Sequence, residues 1–375
     1  MDFKTISFLA TQDAKHSWTF DVDWSFPLNK AKPKMFLDNG SVENEENDVK
    51  AQGKDDTVPQ IQNLAVSAAH RLFAFSTNEK SLFLCKIEGS SAATLSRRTF
   101  PRTPSVVKFS SCGKFLFFAD KTGDVFEYSC EEVNNPGRWI LGHISQILDL
   151  AVTSDLKFIA TSDRDEKIKV SNYPDTHDIE AFCTGHKEFV SSVTFFDQEK
   201  FLLSASGDKT LRLWNYRTGQ QVQVIELSFI PITVVTLESA GLMAISSDDN
   251  TVYVHKYTGS KDRQVNLELL GQKSYTNSVE MKSLGESSFI VEYFEAAVSG
   301  ENKLLSDKIT TTENKAHFEL LCDVTEALSL NLEASFKIVK SFDVSLLFKN
   351  SKNFDNVKQY IDRKKARIEK LTVKK

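Results

Sequence analysis

Two stretches of this chain read as copies of one another. Leu141–Asn172 is LGHISQILDLAVTSDLKFIATSDRDEKIKVSN, and Thr184–Asn215 is TGHKEFVSSVTFFDQEKFLLSASGDKTLRLWN. They align almost without gaps. Each holds a Gly-His pair, a short apolar run, a polar turn, a second apolar run ending in hydroxyl residues, an Asp turn and an alternating strand. His143 precedes His186 by about 43 residues, and Asp165 precedes Asp208 by the same step. A unit this short cannot bury its apolar face alone, so the fold must come from packing repeats against one another.

Weaker copies flank the pair. Val106–Ser129 keeps the strand–turn–strand rhythm, with Asp124 at its turn, and Ile61–Glu88 does so without a Gly-His. Ile232–Tyr257 places Asp249 at its turn, and Ser278–Glu295 is a degenerate copy. A period of roughly 40–45 residues with a G-H…W-D signature resembles the WD40 β-propeller family, four strands to a blade. An N-terminal strand group, Thr5–Phe26, closing on C-terminal strands brings the expected count to about seven blades. The expectation is an all-β, seven-bladed propeller over residues 1–350, with a short basic helix or tail over 351–375.

Composition supports this class. The chain has 28 Phe and only 15 Gly among 375 residues. Aromatic side chains suit pleated, half-buried surfaces, and scarce glycine argues against glycine-loop nucleotide sites. Five cysteines without a C-x-x-C spacing suggest core thiols in a reducing compartment. No apolar run is long enough for a membrane-spanning helix, the N-terminus lacks signal-peptide character, and no membrane association is expected.

The net charge of −5 is a sum of unlike parts. Residues 27–59 hold an acidic stretch too poor in apolar side chains to offset its ordering entropy, and are read as a disordered loop inserted in the first blade. Ser96–Pro104, SRRTFPRTP, is read as a short basic insertion. The last 25 residues carry nine Lys/Arg against three acids, with Phe354, Val357, Ile361, Ile368 and Leu371 at helical spacing. That pattern predicts an amphipathic basic helix whose charged face suits RNA phosphates or an acidic partner.

Enzyme signatures are missing. There is no phosphate loop, no H-E-x-x-H, no glycine-rich strand-to-helix turn and no G-x-S-x-G elbow, and the seven His show no metal-ligand spacing. A non-catalytic, cofactor-free, protein-binding scaffold is the expectation. In WD40 repeats the His ties a blade's turn to its strands through the turn Asp, a strand hydroxyl and the Trp. The resemblance therefore gives His186, Asp208, Ser204 (or Ser206) and Trp214 structural roles. In the preceding copy it gives them to His143, Asp165 and Thr161 or Ser162, with Ser171 where Trp would stand.

One segment exceeds what a blade needs. TSDRDEKIKVSNYP (Thr161–Pro174) places Asp163, Arg164, Asp165, Glu166, Lys167 and Lys169 within seven positions, and alternation puts Lys167 and Lys169 on one face. Such a pattern can dock a complementary surface. This run, with the following TGHKEFVSSV, the preceding ADKTGDVFEY and ILGH, and the tail FDNVKQYIDRKKARIEKL, resembles the WD-repeat non-catalytic subunits of the tRNA (guanine-N7)-methyltransferase. The resemblance implies a heterodimer with a Rossmann-like catalytic subunit, which the propeller stabilises while it forms N7-methylguanine in the tRNA variable loop. It assigns partner contact to Asp163, Asp165 and Lys169, extended to Arg164 and Lys167. It assigns tRNA contact to Arg363, Lys364, Lys365 and Arg367 of the tail, and implies the nucleus, alongside the cytoplasm, as the location. The alternative is a general WD40 adaptor, such as a ubiquitin-ligase substrate receptor or chromatin scaffold, for which the charged strand is merely rim.

Overall fold

Left-handed backbone positions mark the repeat in three dimensions. In the hairpins between second and third strands, Lys80, Gly123, Glu166, Lys209 and Asn250 all have positive φ. In the hairpins between first and second strands, Arg71, Gly113, Leu156, Asp197–Glu199 and Gly241 do. Both series recur every 41–43 residues. An L-residue there costs about 1–2 kcal/mol, so a chain this poor in glycine accepts a small strain at most turns. The strands they join are dense in β-branched and aromatic side chains, which suit the pleated surface.

The computed structural model describes residues 4–9, 17–22, 61–88, 91–259, 264–276, 279–284, 288–296, 302–312, 315–323 and Leu347. β1 (Lys4–Leu9) and β2 (Ser17–Val22) pair as a two-stranded antiparallel sheet. Six four-stranded antiparallel meanders follow. Blade one contains β3 (Ile61–Ser67), β4 (Leu72–Thr77), β5 (Ser81–Glu88) and β6 (Ser91–Thr99). Blade two contains β7 (Pro104–Phe109), β8 (Phe115–Asp120), β9 (Asp124–Ser129) and β10 (Arg138–Gly142). Blade three contains β11 (Ile147–Val152), β12 (Phe158–Asp163), β13 (Ile168–Asn172) and β14 (Ile179–Cys183). Blade four contains β15 (Val190–Phe196), β16 (Phe201–Ser206), β17 (Thr210–Asn215) and β18 (Gln220–Glu226). Blade five contains β19 (Pro231–Leu237), β20 (Leu242–Ser247), β21 (Thr251–Gly259) and β22 (Val265–Ser274). Blade six contains β23 (Val279–Leu284), β24 (Ser288–Ala296), β25 (Asn302–Thr312) and β26 (Lys315–Asp323).

The first strands β3, β7, β11, β15, β19 and β23 touch one another in sequence order, so they form the inner edge of a ring. In each of the first five blades the pairing of first and second strands begins with a bulge, for example between Ile147 and Asp149 and between Val190 and Ser192. Such bulges add local twist. The core lies between blades. Phe117, Ala119 and Val125 of blade two pack with Ile147, Leu150 and Ile159 of blade three, and Ile168 and Val170 pack with Val193, Leu202 and Trp214 of blade four. Polar inner-edge contacts join the same blades: Asp149 pairs with Lys108 at 2.6 Å and accepts the Val193 backbone N–H at 3.0 Å.

The architecture is the propeller expected from the repeat. Ser96–Thr99 is not an insertion: it completes β6, whose Arg98 donates to the Val133 and Asn135 carbonyls at 2.7 Å. The basic run serves as an outer strand because Arg98, 5% exposed, has those carbonyls as acceptors and lies over the Tyr128 ring, while Arg97 lies over Phe83. The acidic stretch 27–59 and the tail 351–375, with Arg363, Lys364, Lys365 and Arg367, lie outside the described residues. Of the seven expected blades, six are four-stranded among the described residues, and the N-terminal pair supplies a further sheet lying against β6.

Candidate protein-docking site on blade three

The Gly-His loops precede the first strands of blades three and four, so each imidazole lies over the hairpin between the second and third strands. In blade four, Trp214 Nε1 donates to Ser204 Oγ at 2.8 Å, and Ser204 Oγ lies 2.7 Å from His186 Nε2. His186 Nδ1 lies 3.0 Å from Asp208 Oδ2. A carboxylate accepts only, so Nδ1 carries the ring proton and Nε2 accepts from the serine. Burial holds His186 below its ordinary pKa, which keeps the ring neutral. Burial alone would raise the Asp208 carboxyl. Hydrogen bonds from His186, Thr210 and the Lys187 backbone N–H outweigh it and hold the group well below the usual range.

Blade three builds the same device with a different carboxylate. His143 Nδ1 lies 2.9 Å from Asp163 Oδ2, and Thr161 Oγ1 lies 2.8 Å from His143 Nε2. Asp163, not Asp165, therefore anchors this turn. Its Oδ1 accepts the backbone N–H groups of Asp165 and Lys167, each at 2.9 Å. Alignment equates Asp165 with Asp208, but Asp163 ends β12 with its side chain inward. Blade two uses the same strand-end position: Asp120 Oδ1 accepts from the Thr122 and Asp124 backbones at 2.7 and 3.2 Å. Blade four has Ser206 there, too short to span the gap, and the carboxylate comes from two residues later. Asp165 is consequently half-buried on the turn.

The other charged residues divide sharply. Arg164 is buried at 4% exposure, and its Nε donates to the carbonyl of Leu347, itself 5% exposed, at 3.1 Å. Its assignment as a partner contact gives way to an internal role, because its guanidinium holds a backbone carbonyl of the C-terminal region. Lys167 is exposed but precedes β13, so the expected alternation with Lys169 does not operate. Lys169 is 8% exposed, and its Nζ donates to the Gly142 carbonyl at the end of β10 at 2.7 Å. Burial lowers its pKa to about 8, against the opposing attraction of Asp163.

Comparison with the next blade shows what is unusual. Arg212 holds the position of Lys169 in blade four: it faces Ser204 across the pair as Lys169 faces Thr161. Arg212 donates to Gln221 Oε1 at 2.7 Å and pairs with Asp208 at 3.5 Å, so its charge is compensated within its own blade. Lys169 hydrogen-bonds a neutral carbonyl instead, with Asp163 attracting it without a direct ion pair. A buried cation hydrogen-bonded to a neutral group can still gain from an incoming carboxylate.

The sequence matches the family described as tRNA methyltransferase TRM82 WD40 domain over residues 15–138 and 129–256. The chain belongs to this family. A Culex quinquefasciatus protein named tRNA (guanine-N(7)-)-methyltransferase non-catalytic subunit wuho is 36% identical over 98% of the chain and 94% of its own length. The Aedes aegypti protein of the same name is 37% identical, over 94% and 90%. The Drosophila melanogaster protein of that name is 33% identical, over 84% and 76%. Within this TRM82-type WD40 chain, blade three is where turn, cation and C-terminal region converge. Leu347 and Gly142 had no sequence signal as partners of Arg164 and Lys169, since only folding brings them together. Ile144 and Phe182, both half-exposed, could have been noticed as apolar residues at turn and outer-strand positions.

Proposed function

We propose that this chain is the non-catalytic WD40 subunit of a tRNA (guanine-N7)-methyltransferase, docking and stabilising the catalytic subunit through blade three. The relatives carry that name. The observation that carries the site is Lys169, a cation 8% exposed in blade three whose ammonium hydrogen-bonds a neutral carbonyl where Arg212 has a carboxylate and an amide. A propeller already ordered in these blades loses little conformational entropy on docking, so its surface can hold a mobile element of the enzyme in place. Asp165 and Lys167, on the adjacent turn, supply rim charges that set register. A one-to-one heterodimer and tRNA contact through Arg363, Lys364, Lys365 and Arg367 complete the proposal.

The test is copurification of the full chain with the catalytic subunit, combined with an N7-methylguanine assay on tRNA. Lys169→Met should keep the melting temperature and weaken the complex by about 30-fold or more, the lower end of what truncating a desolvated charged partner costs. Lys169→Arg should restore much of it. Wild-type affinity in the Met variant would overturn the site. Copurification with ligase or chromatin components in place of a methyltransferase would overturn the function.

A further inference from the structure

Six large apolar side chains among the described residues are more than a third exposed: Ile144, Ile179, Phe182, Val224, Leu269 and Leu320. Five sit on the outer strands β14, β18, β22 and β26, where scattered apolar residues are ordinary. Ile144 is different. It is 49% exposed in the turn after His143, two residues from the carbonyl that holds Lys169. Phe182, 48% exposed, is the residue directly opposite Lys169 in the β13–β14 pair. Cross-strand partners project from the same face of the sheet. Lys169, a buried cation hydrogen-bonded to a backbone carbonyl, is thus flanked by two half-exposed apolar side chains.

We infer that Ile144 and Phe182 are the apolar shoulders of the docking site, and that the partner surface is a carboxylate flanked by apolar side chains. The inference rests on the docking reading above and deepens it. Covering the shoulders would exclude the remaining water from the rim of the Lys169 site and so favour a charge-assisted hydrogen bond there. The same geometry selects protein over nucleic acid. A row of phosphates gains little from covering an isoleucine, and phosphate clamps use several cations at once. The site has two ammoniums, the buried Lys169 and the exposed Lys167, against the acids Asp163, Asp165 and Glu166, a balance that does not favour a row of phosphates. Those acids favour a partner whose single carboxylate reaches the lysine past them, with neutral or basic groups around it.

The test uses the full chain and the purified catalytic subunit, with dissociation constants measured at low and high salt. The double variant Ile144→Ser/Phe182→Ser should bind at least tenfold more weakly, and Phe182→Leu should recover most of the loss. Leu269→Ser and Leu320→Ser, equally exposed on blades five and six, should bind as wild type, and melting temperatures should be unchanged throughout. Double-variant affinity within twofold of wild type, with Lys169→Met still impaired, would overturn the shoulders and leave the docking reading standing. No binding by the wild-type chain would overturn both. Retained enzyme binding with weakened tRNA binding by the double variant would make the patch an RNA platform and overturn the inference.

Discussion

Lys169 and His186 are both tuned by burial, and for Lys169 the consequences for folding and for docking are opposite. For Lys169 the native value near 8 lies below the ordinary 10.5. Between those values the unfolded chain holds more protons, so stability of the free chain rises with pH there. Docking runs the other way. A carboxylate needs the ammonium, so affinity for the catalytic subunit should fall as pH rises through about 8, approaching tenfold per pH unit. In Lys169→Arg the profile should stay flat, since a guanidinium remains charged; titration calorimetry across pH 7 to 10 reads the difference. Burial holds His186 below the ordinary imidazole value of 6.5. As pH falls through 6.5 the unfolded chain gains a proton that the native ring resists, so stability declines. His186→Ala should cost about 2–3 kcal/mol in denaturant unfolding, two buried hydrogen bonds being lost, and should blunt that acid sensitivity.

At the scale of the element, the hairpin between β12 and β13 concentrates what the chain invests in blade three. Asp163 satisfies one imidazole and two backbone N–H groups, whereas Asp165 stands half-exposed. Asp163→Ala should therefore destabilise the protein by about 2–3 kcal/mol, and Asp165→Ala should stay within about 0.5 kcal/mol, which thermal melts of the two variants separate. The hairpin also shows where a sequence stops informing. The repeat is legible because strands alternate and turns recur at a fixed step, and the blade-four set of His186, Asp208, Ser204 and Trp214 follows from that register. Which carboxylate turns inward does not follow. Asp163 and Asp165 are chemically identical and two residues apart, so only the direction of the strand-end side chain decides. Arg164 was illegible for another reason. Its carbonyl partner lies 183 residues away, and no local pattern encodes that distance.

Across the whole molecule, cohesion comes from cores between neighbouring blades and from inner-edge ties such as Lys108–Asp149. Binding depends instead on one blade's rim and on the charge that follows it. Deleting residues 351–375 removes nine Lys/Arg and three acids. It should weaken tRNA binding by the complex and flatten its dependence on salt, since fewer counterions are displaced. Affinity between the subunits should hold, because blade three is untouched. Filter binding over a salt series reads the first effect, and copurification reads the second.

The Arg164–Leu347 hydrogen bond holds the chain to the blade-three turn four residues before that basic sequence begins. Cutting at Ser351 would remove the nine Lys/Arg and leave that hydrogen bond in place. Cutting before Leu347 would also strip Arg164 of the carbonyl that its guanidinium holds, and the two deletions would differ in melting temperature as well as in RNA binding.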